Sequence, residues 1–176
     1  MPDWLPELLK VSPWAVPYTY NMLYEVFRRD IRDARLQYEG CEVWFFTDME
    51  DGKEVLFWHL TSREIKAQPI PRRKRHLYPP GQTHDPETTQ RLPDPPRCER
   101  LNRVKPLIEN PSDPEVLAWD YEEGEGIIKS YVWIKAYDFL VVMKKFPDGK
   151  HRLITSFYVD EHNRKFFERK YENRIQ

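Results

Sequence analysis

The run SYVWIKAYDFLVVMKK, Ser130 to Lys145, decides how the chain folds. Tyr131, Val132, Trp133 and Ile134 are β-branched or aromatic, and so are Phe139, Val141 and Val142. Such residues suit a pleated, half-buried surface, so the run predicts strands over 130–135 and 137–145. KFPDGK follows as a turn with Asp148-Gly149 at its tip, and RLITSFYV (152–159) reads as the partner strand. Asp160 is then placed to cap a closing helix over EHNRKFFERKYENR, on which Phe166, Phe167 and Tyr171 make a narrow apolar stripe.

Upstream of these strands lies an acidic turn, YEEGEG (121–126), and before it ERLNRVKPLIEN (99–110). The latter predicts a short helix interrupted near Pro106 and stopped by Asn110-Pro111. TYNMLYEVFRRDIRDARLQY (19–38) predicts the first long helix, because Leu23, Phe27, Ile31, Ala34 and Tyr38 recur every three or four residues. Thr19 is its candidate N-cap, and Gly40 lies just past its end. CEVWFFT (41–47) and EVLFWHLT (54–61) flank Asp51-Gly52 and predict a hairpin. In that register Val55, Phe57, His59 and Thr61 share one face. Residues 65–98 hold eight of the sixteen prolines and the run PRRKRHLYPPG, and are expected to form a long, partly mobile loop. Residues 1–18 read as a Pro-rich, aromatic arm (Trp4, Pro6, Pro13, Trp14, Pro17) ahead of a single domain over 19–176. Strands run together with helices at the ends, so the fold class is α+β: a small antiparallel sheet against N- and C-terminal helices.

Composition narrows the function. The 176 residues suit one domain with a sizeable core. The net charge of −1 argues against binding nucleic acid through bulk charge, but the charge is unevenly spread. Residues 1–62 carry a net −5, residues 63–105 a net +6, and residues 106–176 a net −2. Cys41 and Cys98 lie far apart, with no C-x-x-C and no zinc spacing, so a reduced cytoplasmic protein is the simplest reading. MPDWLPELLK lacks the apolar core of a signal peptide, and no run approaches the roughly 18–20 apolar residues that span a bilayer, so no membrane partner is expected.

There is no P-loop, G-x-G-x-x-G, G-x-S-x-G or H-E-x-x-H, and the carboxylates are scattered. What remains is His59 within an aromatic run, an arginine-rich segment after it, and hydroxyls on a late strand. His59 reads either as a half-buried histidine bonded to a carbonyl or as a general base, since imidazole titrates near neutrality. A cation such as Arg63 nearby would hold it in the neutral form a base needs. Arg63, Arg97, Arg100 and Arg103 form either a solvated face or a set of phosphate forks. Arg100 and Arg103, three apart, are expected to aim from one side of a helix. Arg72, Arg73, Lys74 and Arg75 sit between prolines and suggest a loose electrostatic contact. Thr155 and Ser156 interrupt an apolar strand, as tolerated strand residues or as donors to a phosphate oxygen. Tyr131, Trp133 and Tyr158 are either core or base-stacking surfaces.

In order and spacing, FWHLTSRE, RLNRVKPLIENP, SYVWIKAYDFLVVMKK and RLITSFYVDEHNRKFFERKYENR resemble the phage-associated branch of the Barnase–EndoU–colicin–RelE-like nucleases. The likeness runs from about Tyr20 to Arg174 and is strongest in the last 45 residues. The resemblance implies a metal-independent ribonuclease of prophage or toxin type, without cofactor. Its site would use His59 on a strand, Arg63, Arg100 or Arg103, and Thr155 or Ser156; beside that site, Arg72, Arg73, Lys74, Arg75, Tyr131 and Tyr158 are the residues' own candidates for RNA contact. The slightly acidic net charge and the long insertion depart from that pattern. The implied reaction is attack of the RNA 2′-hydroxyl on the adjacent phosphorus to give a 2′,3′-cyclic phosphate. RNA is the implied partner, and an acidic antitoxin or immunity protein would be the inhibitor. A non-catalytic nucleic-acid- or protein-binding module of phage origin is the competing expectation, and a structural phage protein a third.

Overall fold

The computed structural model of the chain describes residues 1–12, 16–65, 68–83 and 90–175. The architecture is α+β, centred on a six-stranded sheet with the order β1-β2-β10-β9-β8-β7. Its strands are β1 (Leu36–Tyr38), β2 (Cys41–Trp44), β7 (Val116–Glu122), β8 (Ile128–Ile134), β9 (Phe139–Lys145) and β10 (His151–Tyr158). All neighbours are antiparallel except β2 and β10, which run parallel through His151↔Val43 and Arg152↔Trp44. Two short ribbons complete the strands: β3 (Met49–Glu50) with β4 (Lys53–Glu54), and β5 (Ser62–Ile65) with β6 (Gln90–Pro93).

The predicted strands of the last third are present, and Asp160 caps α5 (Glu161–Glu172) by accepting from the Asn163 amide. The sheet is covered on both faces. On one side Val132, Ile134, Phe139, Val141, Met143 and Leu153 pack with Leu23, Phe27 and Ile31 and with Leu107 and Ile108. On the other, Trp119, Tyr131, Trp133, Leu140 and Val142 pack with Phe167 of α5. Buried aliphatic and aromatic side chains each contribute about 1.5–3 kcal/mol, so these two layers set the fold.

Several sequence expectations are corrected. The first helix is α1 (Val16–Phe27), followed by a π-helical turn over Arg28–Arg32. It stops before Ala34, and Tyr38 belongs to β1. Gly40 follows no helix. With Glu39 it forms the β1–β2 turn, both at positive φ, which leaves Gly40 free of steric cost. Thr19 lies inside α1, not at its cap. Asp51-Gly52 does sit at a hairpin tip, but only β3 and β4 flank it. The run VLFWHLT is not a strand: it is α2 (Val55–Thr61). Leu56 and Leu60, and Phe57 and Thr61, are buried at four-residue spacing, so the apolar period is helical. Short apolar runs fit both periods, and here the rings of Tyr20, Tyr24 and Phe27 meet Phe57 edge-on or nearly so, choosing the helix.

Pro106 does not interrupt its segment. It lies in the first turn of α4 (Val104–Glu109), where its missing N–H would be unpaired anyway, and a 3₁₀ turn over Leu101–Arg103 precedes it. The strand β7 was not foreseen. Within 65–98, Gln90–Pro93 pair with Ser62–Ile65, Arg72–Leu77 form a 3₁₀ turn, and α3 (Pro95–Glu99) is helical. Residues 66–67 and 84–89 of that insertion, and Pro13, Trp14 and Ala15 of the N-terminal arm, lie outside the described residues. The rest of the arm is held by Trp4 Nε1 to Asp113 (2.8 Å), the Leu9 amide to Glu99 O (2.8 Å) and Arg103 Nε to Pro6 O (2.9 Å).

Candidate functional site

His59 stands on the last turn of α2, where the chain leaves the helix for β5. Thr61 Oγ1 bonds Phe57 O at 2.8 Å and Ser62 Oγ bonds Trp58 O at 2.6 Å, so two hydroxyls close the helix end. The His59 backbone is fixed from outside as well. Its carbonyl accepts from Arg97 Nη1 (2.5 Å) and from Thr155 Oγ1 (3.3 Å), and those two donors lie 3.4 Å apart. A helix end, a short helix and a sheet strand therefore meet at one carbonyl oxygen.

Behind this junction is Asp94, buried, the N-cap of α3. Its Oδ2 lies 3.3 Å from Arg97 Nε and 3.1 Å from Arg63 Nη2. The Asp94 amide bonds Thr61 O at 3.0 Å, tying the carboxylate to the end of α2. A buried carboxylate needs compensation, and two guanidiniums supply it. The Arg97 guanidinium also lies over the Phe157 ring at 5.7 Å.

The His59 ring itself remains open to solvent. Partial burial pushes its pKa below the ordinary value, and the positive charges of Arg91 and Arg97 push it further, while Glu50 and Glu64 oppose them. The neutral imidazole is thus favoured at neutral pH. The ring borders a cavity of about 160 Å³ lined also by Phe46, Asp48, Val55, Arg152 and Ile154. Ile154 is there because β10 bulges between Leu153 and Thr155, as bulges do where a strand must re-aim its side chains.

The residues singled out in the sequence separate into groups. His59, Arg63, Arg97 and Thr155 come together. Ser156 turns away: it is 1% exposed, and its hydroxyl has no partner among the described residues. Arg103 is buried under the N-terminal arm, bonded to Pro6 O and lying 5.6 Å from the Tyr137 ring centre. Arg100 bonds Pro96 O and covers the Tyr158 ring at 4.8 Å, three residues along β10 from Thr155. The pair does not aim at one anion: Arg100 is drawn back to Pro96 O and the Tyr158 ring, and Arg103 to Pro6 O and the Tyr137 ring. Tyr131 is 3% exposed, stacked on Trp119 and bonded to Glu123 and Lys170, so its ring is closed to a base. Tyr158 is exposed. Arg72, Arg73, Lys74 and Arg75 are exposed on their 3₁₀ turn.

Two features were missed. One is Arg91 of β6, whose charge reaches His59 and whose Nη2 lies within 4 Å of both Glu50 and Glu64. The other is a polar chain inside the sheet. His151 Nε2 meets Ser130 Oγ at 3.0 Å, Ser130 donates to Asp120 Oδ1 at 2.6 Å, and Lys145 Nζ donates to Asp120 Oδ2 at 2.5 Å. Because Ser130 spends its proton on Asp120, His151 is the donor to Ser130, which fixes its tautomer. Asp120 and Ser130 are two of the polar residues interrupting apolar strands, the one signal that pointed to them.

Among the described residues no three His, Cys, Asp or Glu side chains cluster as a metal site, and no helix is long and apolar enough to cross a membrane. Neither a family model, nor a curated protein, nor a solved structure matches the chain.

Proposed function

We propose that the chain is a metal-independent RNA endonuclease in which His59 is the general base. The observation that carries this reading is the junction at the end of α2. An accessible imidazole is biased toward its neutral form, its backbone is fixed by Arg97 and Thr155, and it borders a cavity that also presents Arg152. The resemblance of the ordered motifs to the Barnase–EndoU–colicin–RelE-like nucleases supports the same chemistry.

RNA brings its own nucleophile. His59 takes the proton of the 2′-hydroxyl, the 2′-oxygen forms a bond to phosphorus, and the P–O5′ bond breaks. The 5′-oxygen leaves with a proton from water, and the other product keeps a 2′,3′-cyclic phosphate. A positioned base contributes roughly 10²–10⁴-fold. Arg152 stabilises charge on the phosphoryl oxygens, an effect of a few kcal/mol per well-placed donor, and Arg63, anchored on Asp94, adds positive charge nearby. Arg97 acts as a positioning residue, since its guanidinium is already engaged by Asp94 and His59 O. The segment 63–105, with a net charge of +6, is the surface an acidic antitoxin would cover, in a cytoplasmic toxin–antitoxin setting.

The second reading is a non-catalytic RNA-binding module. It is favoured by one fact: Arg63 and Arg97 both spend charge on Asp94. Purified protein incubated with a defined RNA in EDTA separates the two. The nuclease reading expects cleavage, a 2′,3′-cyclic phosphate end, and no cut where the sugar is 2′-deoxy. An intact RNA under all conditions leaves the binding module.

A further inference from the structure

Beside the His59 cavity, one face of the sheet carries a row of side chains that no part of the catalytic proposal uses beyond Arg152. Cross-strand partners point to the same face, and the register puts Trp44 beside Arg152, Arg152 beside Lys144, and Lys144 beside Lys129. Three cations therefore stand side by side on β10, β9 and β8, about 4.8 Å apart from strand to strand. Like charges directly opposite one another destabilise a sheet. Lys129 has partial relief from Glu123 at 3.9 Å, but among the described residues neither Arg152 nor Lys144 is paired with a carboxylate.

The same two cations lie against aromatic rings. The Arg152 guanidinium is 4.4 Å from the Phe46 ring centre and 5.8 Å from that of Trp44, and Lys144 Nζ is 5.2 Å from that of Phe146. Trp44 meets Phe46 at 5.3 Å and Phe146 at 5.6 Å, so the three rings form one cluster. Phe46 is 53% exposed, and with the half-buried Trp44 and Phe146 it makes one contiguous aromatic patch at the surface. Rings beside unpaired cations match an occupant that alternates flat apolar faces with negative charges.

We propose that this strip holds single-stranded RNA, with bases stacked on Phe46, Trp44 and Phe146 and phosphates on Arg152 and Lys144, leading the chain into the His59 cavity. The proposal deepens the nuclease reading and rests on it for the choice of RNA. Stacking on aromatic rings and an unpaired basic row are the two components by which proteins hold single strands without reading sequence. A duplex buries its bases and offers the rings nothing.

The test uses the full chain and a 5′-labelled 12-nucleotide strand in which every sugar is 2′-deoxy, so that no cleavage intervenes, read by fluorescence anisotropy. Phe46→Ala, an exposed position, is expected to weaken binding about tenfold, the loss typical of one stacked base. Its affinity for the matching duplex is expected to stay as in wild type. Arg152→Gln/Lys144→Gln is expected to lower the slope of log K against log salt by about 1.4, at roughly 0.7 per phosphate of a single strand. Thermal unfolding of each variant establishes that it is folded. Wild-type affinity and salt slope in these variants, or no binding of the strand by the wild type, overturns the proposal, and an acidic protein then becomes the occupant to seek. The two readings fail separately. RNA left intact while the deoxy strand binds through Phe46 removes the nuclease and keeps the strip. RNA cut by a Phe46→Ala variant whose binding is unchanged removes the strip and keeps the nuclease.

Discussion

His59 and His151 share a direction of titration and differ in nearly everything else. Burial lowers the pKa of both. His151 is 3% exposed, edge-on to Tyr38 at 4.9 Å, and linked through Ser130 to Asp120 and Lys145. Its other ring nitrogen has no partner among the described residues. Among the described residues His59 is bonded through its backbone carbonyl, and its side chain borders a cavity. A polar chain with good geometry is thus no evidence of chemistry by itself. The sealed histidine stabilises strands β7 to β10 against one another, and the open one has access to a substrate.

That contrast can be broken most readily at His151. His151→Ala opens a void in the sheet and strands the Ser130 hydroxyl, so it is expected to lower unfolding stability by about 2–4 kcal/mol. Cleavage per folded molecule is expected to stay near wild type. A stable His151→Ala protein that no longer cuts RNA would move the active centre to the Asp120–Ser130–His151 chain.

Arg97→Ala comes next. It leaves Asp94 buried with Arg63 alone and frees the His59 carbonyl, so a loss of about 1–3 kcal/mol in stability is expected. Because Arg97 positions rather than touches substrate, the rate at saturating RNA should fall while KM changes little. Arg97→Lys restores less than its charge suggests, since one ammonium cannot meet Asp94, His59 O and Thr155 together.

The pH dependence sharpens the comparison at smaller amplitude. A lowered pKa at His59 keeps the base competent into mildly acidic solution, so the acid limb of kcat/KM should have its midpoint below the ordinary histidine value of about 6.5. His151 acts on stability instead. Its folded pKa lies below its unfolded one, so the unfolded chain binds more protons in that window. Stability should be full above about pH 6.5 and fall as the pH drops through the window, and His151→Gln should flatten that fall. A rate profile that shifts with His151→Gln would merge the two roles.

Thr155→Val should have the smallest effect, about 0.5–1.5 kcal/mol for one neutral hydrogen bond to a carbonyl that keeps Arg97, with a few-fold loss of rate. A loss as large as that of the base would make Thr155 a direct phosphate contact.

The sheet was legible where patterning was dense. Tyr131 to Ile134 and Phe139 to Val142 are dense in β-branched and aromatic residues and bounded by turns, which favours strands, and Asp160 marked the last helix. VLFWHLT was not legible as a helix, because a seven-residue, mostly apolar run satisfies both periods and the choice came from three aromatic rings on α1. The meeting of His59, Arg63, Arg97 and Thr155 was visible only as residue types. Asp94, which gathers two of the arginines, looked like an ordinary residue in a Pro-rich stretch. Arg100 and Arg103 do not share a target because distant partners, the Tyr158 ring for one and Pro6 O of the arm for the other, take their guanidiniums. Arg152 and Phe46 carried no signal in the sequence: the parallel pairing of β10 with β2 brings Arg152 beside Trp44, and Phe46 just past β2 then lies under its guanidinium.

The most direct measurement is the single-turnover cleavage rate of a defined RNA at saturating protein in EDTA, for wild type and His59→Ala. His59 is exposed and lends the core little, so the variant should unfold at the wild-type temperature. The account predicts a rate at least about 100-fold lower, the low end for a lost general base. Cleavage by folded His59→Ala at the wild-type rate would contradict it.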